Sequence, residues 1–183
     1  SAQKLNNDNN IGANIITCMS MSKTYSMTGW RIGYAFGDKK IIKAMTKIQG
    51  QATSCANSIS QSASVEALTG DQSAVQLMKN KFKERRNLMV SLLNEIPGTQ
   101  CDLPGGAFYA FPDFSYYLGK SFNNVKIKDS FDLSDLFLNE AKVVTVPGDG
   151  FGAPGHIRFS YPVSSELIRN GLERIKNLLE KLI

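Results

Sequence analysis

The segment that decides the fold runs from residue 20 to residue 33 and reads Ser20-Met21-Ser22-Lys23-Thr24-Tyr25-Ser26-Met27-Thr28-Gly29-Trp30-Arg31-Ile32-Gly33. The apolar run just before it, 15–19, predicts a short buried strand, and 31–36 predicts a second strand closed by Gly37. The polar stretch 20–28 between them predicts a turn. Lys23 is therefore expected in a turn that follows a buried strand, and Arg31 at the start of the next strand.

The residue types in this segment suit a phosphate-bearing carbonyl cofactor. Lys23 carries an amine on a flexible stem, which Schiff-base chemistry requires. Arg31 offers a planar, permanently charged fork, and the hydroxyls of Ser20 and Ser22 add hydrogen bonds. A lysine in a polar turn is more often a solvated surface residue, so composition and spacing alone leave both interpretations open.

The next part of the chain is predicted to be helical. Asp38 is expected to cap a helix, and Ser58 and Gln61 are expected to form a capping box for a second one that ends near Gly70. Residues 71–96 predict one long helix stopped by Pro97. A coiled coil is the rival interpretation, but the apolar pattern is short, so a helix joining two lobes is preferred.

The C-terminal part alternates between the two kinds of element. Strands are predicted at 107–111, 143–146 and 157–161, and helices at 133–141 and after a cap at Ser164. Helices and strands mix along the whole chain, which indicates an α/β fold, with α+β character in the C-terminal lobe. We place the boundary between the lobes near residue 87, inside the long helix.

A second arginine follows the Gly- and Pro-rich loop 147–155. Arg158 alternates with Ile157 and Phe159 on a predicted strand, so its side chain faces away from theirs. On this pattern alone it is either an ordinary solvent-facing strand residue or a binding group.

The composition excludes several classes of function. The 183 residues carry a net charge of +5, but the densest basic run, 79–86, is best interpreted as the solvated face of a helix, so no nucleic-acid partner is expected. The cysteines Cys18, Cys55 and Cys101 are far apart and His156 is the single histidine, so no metal site is expected. Reduced thiols predict a cytoplasmic location, and no apolar run is long enough for a membrane span.

The 20–33 segment resembles the pyridoxal 5'-phosphate (PLP) attachment signature of class I/II aminotransferases of fold type I. Within it, the sequence Met27–Arg31 is similar to that of the bacterial aspartate aminotransferase branch. The resemblance implies that Lys23 is the catalytic, cofactor-binding lysine. It also implies that Arg31 and Ser20 bind the cofactor phosphate. Residues 1–86 would then be the C-terminal part of the large PLP-binding domain, and 87–183 the small C-terminal domain.

Two later motifs resemble the same family. The loop Pro147-Gly148-Asp149-Gly150-Phe151-Gly152 followed by a strand bearing Arg158 implies that this arginine binds the substrate α-carboxylate in a bidentate manner. Pro104-Gly105-Gly106-Ala107-Phe108-Tyr109 resembles a small-domain strand whose residues are expected to pack or to shape the mouth of the site. Cys55 and Ala56 depart from the family pattern, which leaves a contact to a neighbouring subunit's cofactor in question.

The resemblance implies amino transfer from an amino acid, aspartate or one similar to it, to a 2-oxo acid, in a homodimer. Family chains are about twice this length, and the Asp that holds the cofactor's pyridine nitrogen is not found here, so the 183-residue polypeptide alone is expected to be inactive. Three alternatives stay open: a PLP-dependent carbon–sulfur lyase or cyclopropane-forming synthase of the same fold, an aminotransferase-like sensor domain of a transcription regulator, and a folded, non-catalytic fragment.

Overall fold

The structure, a computed structural model, describes Lys4 and residues 12–183. It begins with a pair of antiparallel strands, β1 (Thr17–Ser20) and β2 (Gly33–Phe36), whose register joins Thr17 to Phe36 and Ser20 to Gly33. The connection between the strands contains the one-turn helix α1 (Met21–Thr24) and a 3-10 turn, Thr28–Trp30.

Two longer helices follow, α2 (Lys39–Thr53) and α3 (Ser58–Thr69). The predicted cap of α2 is confirmed, because the Asp38 carboxylate accepts hydrogen bonds from the amides of Lys40 and Ile41. The capping box predicted for α3 is wrong. Asn57 is the N-cap and accepts from the amides of Ile59 and Ser60, so Ser58 is already the first helical residue. The Gln61 side chain bonds instead to the Ala56 carbonyl oxygen.

The predicted long helix is confirmed as α4 (Ser73–Asn94), and it ends before Pro97. The chain divides into two compact units, Ser1–Gln76 and Leu77–Ile183, so the division falls near the start of this helix. The predicted boundary near residue 87 lies farther along the same helix. The identities given to the two parts, as pieces of a large and a small domain, stay predictions.

The second unit contains short strands and two further helices. They are β3 (Tyr109–Ala110), β4 (Ser121–Phe122), β5 (Val125–Lys126), α5 (Ser130–Asn139), β6 (Val146–Pro147), β7 (Ile157–Ser160) and α6 (Ser165–Leu179). Strands β3, β7 and β6 form an antiparallel sheet with β7 in the centre, and β4 and β5 form a hairpin. Mixed helix and sheet, as predicted, is the fold class of the chain.

Three details of the second unit differ from the predictions. Helix α5 begins at Ser130 rather than Leu133, because Asp129 caps it. The strand predicted at 143–146 is confined to Val146–Pro147, which is the part that pairs with β7. The β4–β5 hairpin was not predicted, although Asn123 and Asn124, both at positive φ, are residues that favour such a turn.

The two units differ in how much apolar surface they bury. The main core lies in the second unit and joins α4, the sheet, α5 and α6, including Leu93, Phe137 and Ile175. Helix α2, in the first unit, has no buried residue, and large side chains such as Ile48 and Ile59 are exposed. The first unit therefore exposes much of its apolar surface.

None of the helices in the described part of the chain combines the length and the apolar character needed to span a membrane.

Candidate functional site

The connection between β1 and β2 brings three of the candidate residues together. Ser20 pairs with Gly33, and the Met21 amide donates to the Ile32 carbonyl oxygen at 3.3 Å, so the two ends of the connection meet. Gly33 is required at this point, because a Cβ there would lie 2.6 Å from the Met19 carbonyl oxygen. The connection therefore closes on itself and holds Ser20, Lys23 and Arg31 in one local segment.

Lys23 lies on α1 rather than in a turn without regular structure. The helix forms because Ser20 is its N-cap and its hydroxyl oxygen accepts a hydrogen bond from the Ser22 amide at 3.1 Å. Met21, the first residue of this helix, is 1% exposed and is therefore buried. Ser20 and Lys23 are both exposed, and the hydroxyl proton of Ser20 is not used by the cap, so it can be donated to a ligand.

Arg31 precedes β2 rather than opening it, which corrects the predicted strand. Its φ of 50° places it in the left-handed region, and its Nη1 donates to the Thr28 carbonyl oxygen at 2.9 Å. This bond holds the exposed side chain against the 3-10 turn. A guanidinium has five N–H donors in a planar fork, so this bond leaves most of them for an anion.

A cavity of about 550 Å³ lies beside Arg31, and its lining is Ser26, Gly29, Trp30, Arg31, Asn57, Ile59 and Ser60. The lining contains one positive charge and no carboxylate. The Ser60 hydroxyl, which is largely buried, donates to the Trp30 carbonyl oxygen at 2.9 Å and so ties α3 to the 3-10 turn. The Arg31 guanidinium therefore makes this lining suited to an anionic ligand.

Across Lys4 and residues 12–183, no group of three or more His, Cys, Asp or Glu side chains is arranged to hold a metal ion.

Arg158 lies in the second unit, on the central strand β7, where it pairs with Val146 of β6. Its neighbours Ile157 and Phe159 are buried in the core, and Arg158 is half-buried on the opposite face. The predicted alternation along this strand is therefore confirmed.

Two aromatic rings contact the Arg158 guanidinium. Its central carbon lies 4.5 Å from the centre of the Tyr109 ring and 4.8 Å from the centre of the Phe151 ring. Tyr109 belongs to β3, and it pairs with Ser160, on the same face of β7 as Arg158. Phe151 ends the 3-10 turn Gly148–Phe151, which follows β6. Tyr109 was predicted to pack or to shape the mouth of the site, and Phe151 had no separate predicted role. The signal that could have identified both was their position in the two family-like motifs.

The first two residues of the turn that carries Phe151, Gly148 and Asp149, fix its position. A Cβ at Gly148 would lie 2.5 Å from the carbonyl oxygens of Ala153 and His156, so only glycine fits there. The Asp149 carboxylate accepts hydrogen bonds from the hydroxyl and the amide of Ser130, at the start of α5. The Ser130 hydroxyl, followed by its amide, lowers the pKa of Asp149 below the ordinary value of 3.8. Asp149 is therefore a structural carboxylate at neutral pH.

The candidate residues thus form two separate local arrangements. Ser20, Lys23 and Arg31 share one connection in the first unit, and Arg158 lies with Tyr109 and Phe151 in the second.

Known proteins resemble the chain over most of its length. The family described as aminotransferase class I and II matches residues 3–175. An aspartate aminotransferase of Streptomyces avermitilis is 43% identical over 91% of this chain and 41% of its own length. An aspartate/prephenate aminotransferase of Cereibacter sphaeroides is 44% identical over 88% of this chain and 40% of its own length.

A solved structure has the same fold. The crystal structure of an aspartate aminotransferase from Rhizobium meliloti superimposes with a TM-score of 0.88, at 44% identity, over 92% of this chain and 42% of that one. The chain thus spans about two fifths of the length of these relatives. The family match covers far more than half of the residues, and the chain therefore belongs to the aminotransferase class I and II family.

Proposed function

We propose that the protein to which this chain belongs is a PLP-dependent aminotransferase that moves an amino group from an amino acid to a 2-oxo acid. The observation that carries this proposal is the grouping of Ser20, Lys23 and Arg31 on one connection, in a member of the aminotransferase family.

The residues of this connection fit a phosphate-bearing aldehyde. The hydroxyl proton of Ser20 and the unused N–H groups of Arg31 are donors suited to the phosphate oxygens. Residues 20–33 contain no Asp or Glu that would repel this anion. Lys23, between the two donors in sequence, supplies the amine that would hold the cofactor covalently. When bound, PLP supplies an electron sink for charge that develops on the substrate.

The chain contributes two further functions to the reaction. The Lys23 amine would act as the general base and acid that removes the proton from the substrate Cα and later returns a proton. The Arg158 guanidinium binds the substrate carboxylate with two parallel hydrogen bonds, for which its planar fork is suited. Because Arg158 lies on the central strand of a sheet, its backbone is held rigidly for this purpose.

Aspartate, or an amino acid similar to it, is the proposed donor. The relatives carry the names aspartate aminotransferase and aspartate/prephenate aminotransferase, which supports amino transfer over the lyase, synthase and sensor alternatives. The named substrates share carboxylate groups, and each of them requires a cationic partner in the site.

Assembly as a homodimer and a cytoplasmic location stay predictions. Exposed apolar side chains on α2 and α3, such as Ile48, Ile59 and Val65, are compatible with further packing partners. Sedimentation of the intact protein at several concentrations measures its assembly.

The proposed function is tested by labelling the cofactor lysine. The intact protein is loaded with PLP, reduced with borohydride and digested, and the modified peptide is sequenced by mass spectrometry. We expect the pyridoxyl group on Lys23. Lys23→Ala is expected to lose the label and about 10²–10⁴-fold of the rate of amino transfer from aspartate to 2-oxoglutarate, which is the usual contribution of a positioned general base.

Lys43→Ala is the matched control, since Lys43 is an exposed lysine of the same unit. This variant is expected to keep both the label and the rate. A label on a different lysine, or full activity of Lys23→Ala, would contradict the proposal.

A further inference from the structure

We propose that the rings of Tyr109 and Phe151 position the Arg158 guanidinium for carboxylate binding, and that they thereby set the affinity for the substrate. This inference rests on the proposed function, because it gives Arg158 the carboxylate as its ligand. It adds two positioning residues that have no assigned role in the reaction.

The geometry places two ring faces against one cation. The guanidinium carbon lies over the Tyr109 ring at 4.5 Å and over the Phe151 ring at 4.8 Å. Both distances are within the range of a cation–π interaction, about 6 Å. An arginine side chain has several rotatable bonds, and two ring contacts from different elements restrict how it turns. Less rotational freedom is then lost when a ligand binds.

The rings hold Arg158 without occupying the groups that bind a carboxylate. Within the described part of the chain, Arg158 forms no ion pair with a carboxylate; the ion pair present there joins Lys81 and Glu84. A carboxylate in the place of a ring would pair with the guanidinium and compete with the ligand. An aromatic face attracts the cation but accepts no strong hydrogen bond, so the N–H edges remain available to a ligand.

The two rings are themselves fixed, which a positioning role requires. Phe151 packs edge-on against Phe111, with 6.3 Å between ring centres, and Phe111 in turn contacts the His156 ring at 5.1 Å. The turn that carries Phe151 is tied to α5 through Asp149 and Ser130. On the other side, the Tyr109 ring packs at 4.5 Å against Phe108.

Phe151 is nevertheless 54% exposed, so burial in the core does not explain an aromatic residue at this position. Leucine would fill the same partly exposed place at little cost in stability. The ring face that it presents to Arg158 is the property that leucine lacks.

The test measures carboxylate binding separately from catalysis. Maleate, a four-carbon dicarboxylate without an amino group, is titrated calorimetrically into the intact, PLP-loaded protein. Phe151→Leu and Tyr109→Leu are each expected to weaken maleate binding about tenfold, as loss of a partly desolvated cation–π contact predicts. The KM for aspartate should rise by a similar factor and kcat should change little, because the lost interaction is made in ground state and transition state alike.

Conservative variants separate positioning from general packing. Phe151→Tyr and Tyr109→Phe keep the ring and are expected to bind maleate as the unaltered protein does. Phe131→Leu is the matched control, because Phe131 is a phenylalanine of the same unit that is 51% exposed, and it should leave maleate binding unchanged.

Three results would overturn the inference. In the first, Phe151→Leu and Tyr109→Leu bind maleate as tightly as Phe131→Leu does. In the second, the leucine variants lose kcat instead of affinity, and in the third, Phe151→Tyr and Tyr109→Phe bind maleate as weakly as the leucine variants do. Failure of the proposed function looks different. In that case the unaltered protein binds neither PLP nor maleate, or Arg158→Ala leaves maleate binding unchanged, and the inference falls with it.

Discussion

At the scale of single residues, the contact between Ser130 and Asp149 shows how one hydroxyl organises a turn. The Ser130 hydroxyl donates to the Asp149 carboxylate, and its oxygen also accepts from the Asp149 amide. Ser130 is fully buried, so its removal leaves no solvent replacement for these bonds. The same helix contains a second buried serine, Ser134, whose hydroxyl has no hydrogen-bond partner among the described residues.

We therefore expect opposite effects from two similar substitutions. Ser130→Ala should lower the free energy of unfolding, since it breaks a hydrogen bond to a charged group, whereas Ser134→Ala should leave that free energy unchanged or raise it. Urea unfolding at pH 7 of both variants and the unaltered protein measures the difference. Equal losses would contradict the assigned contacts.

The loss in free energy of unfolding caused by Ser130→Ala should also depend on pH. The pKa of Asp149 is lowered in the folded state, first by the Ser130 hydroxyl, so the resulting stability is present above the unfolded pKa and is lost as the pH falls through the folded one. Ser130→Ala should raise the pKa of Asp149 and move acid unfolding to a higher pH. The difference in free energy of unfolding between Ser130→Ala and the unaltered protein should become smaller below pH 3.8, the ordinary pKa of an aspartate. A deficit that does not change with pH would indicate packing instead.

At the scale of elements, the start of α3 shows a choice between adjacent caps. The sequence offers both Asn57 and the pair Ser58 and Gln61, and each satisfies a known capping pattern. In the folded chain the Asn57 side chain reaches two amides of the first turn, at 2.9 Å and 3.2 Å. The helix therefore starts one residue earlier than a cap at Ser58 would allow.

This choice is tested by removing each cap in turn. Asn57→Ala is expected to lower the free energy of unfolding by about 1 kcal/mol, the usual value of an N-cap. Ser58→Ala should change it by less than about 0.5 kcal/mol, as an exposed substitution without a special contact does. Urea unfolding followed by circular dichroism measures both. A larger loss of free energy of unfolding for Ser58→Ala than for Asn57→Ala would support the capping box instead.

At the scale of the whole molecule, the two compact units differ in the source of their stability. The core of the second unit includes fully buried aromatic and aliphatic side chains such as Phe114, Leu133 and Tyr161. In the first unit, Met21 and Met27 are the buried apolar side chains of the described part. Burial of apolar area is the dominant favourable contribution to folding, so the two units should open at different rates.

Hydrogen exchange of the 183-residue polypeptide tests this difference. We expect slow amide exchange in α5, α6 and the central strand β7, and exchange faster by orders of magnitude in α2 and α3, because their apolar side chains are mostly exposed. Pepsin fragments analysed by mass spectrometry resolve these segments. Equal protection of the two units would contradict the expectation.

The sequence by itself determined the local features of this protein. The assignment of Lys23 and Arg31 to the cofactor is a prediction that rests on one connected stretch of sequence, because the groups of the attachment signature are neighbours in the chain. The caps at Asp38 and Ser164 were predicted, and are confirmed, because capping also involves neighbours in the chain. The apolar face of α6 was visible for the same reason, since helical periodicity is local.

Only the tertiary structure decided what surrounds these residues. The left-handed conformation of Arg31, the fastening of Asp149 by Ser130, and the meeting of Tyr109 and Phe151 at Arg158 join residues through pairing and packing. The partners in the last two come from different elements, and no pattern along the chain encodes which distant side chains will touch. Their positions follow from the register of β3 and β6 on β7, which the fold sets as a whole.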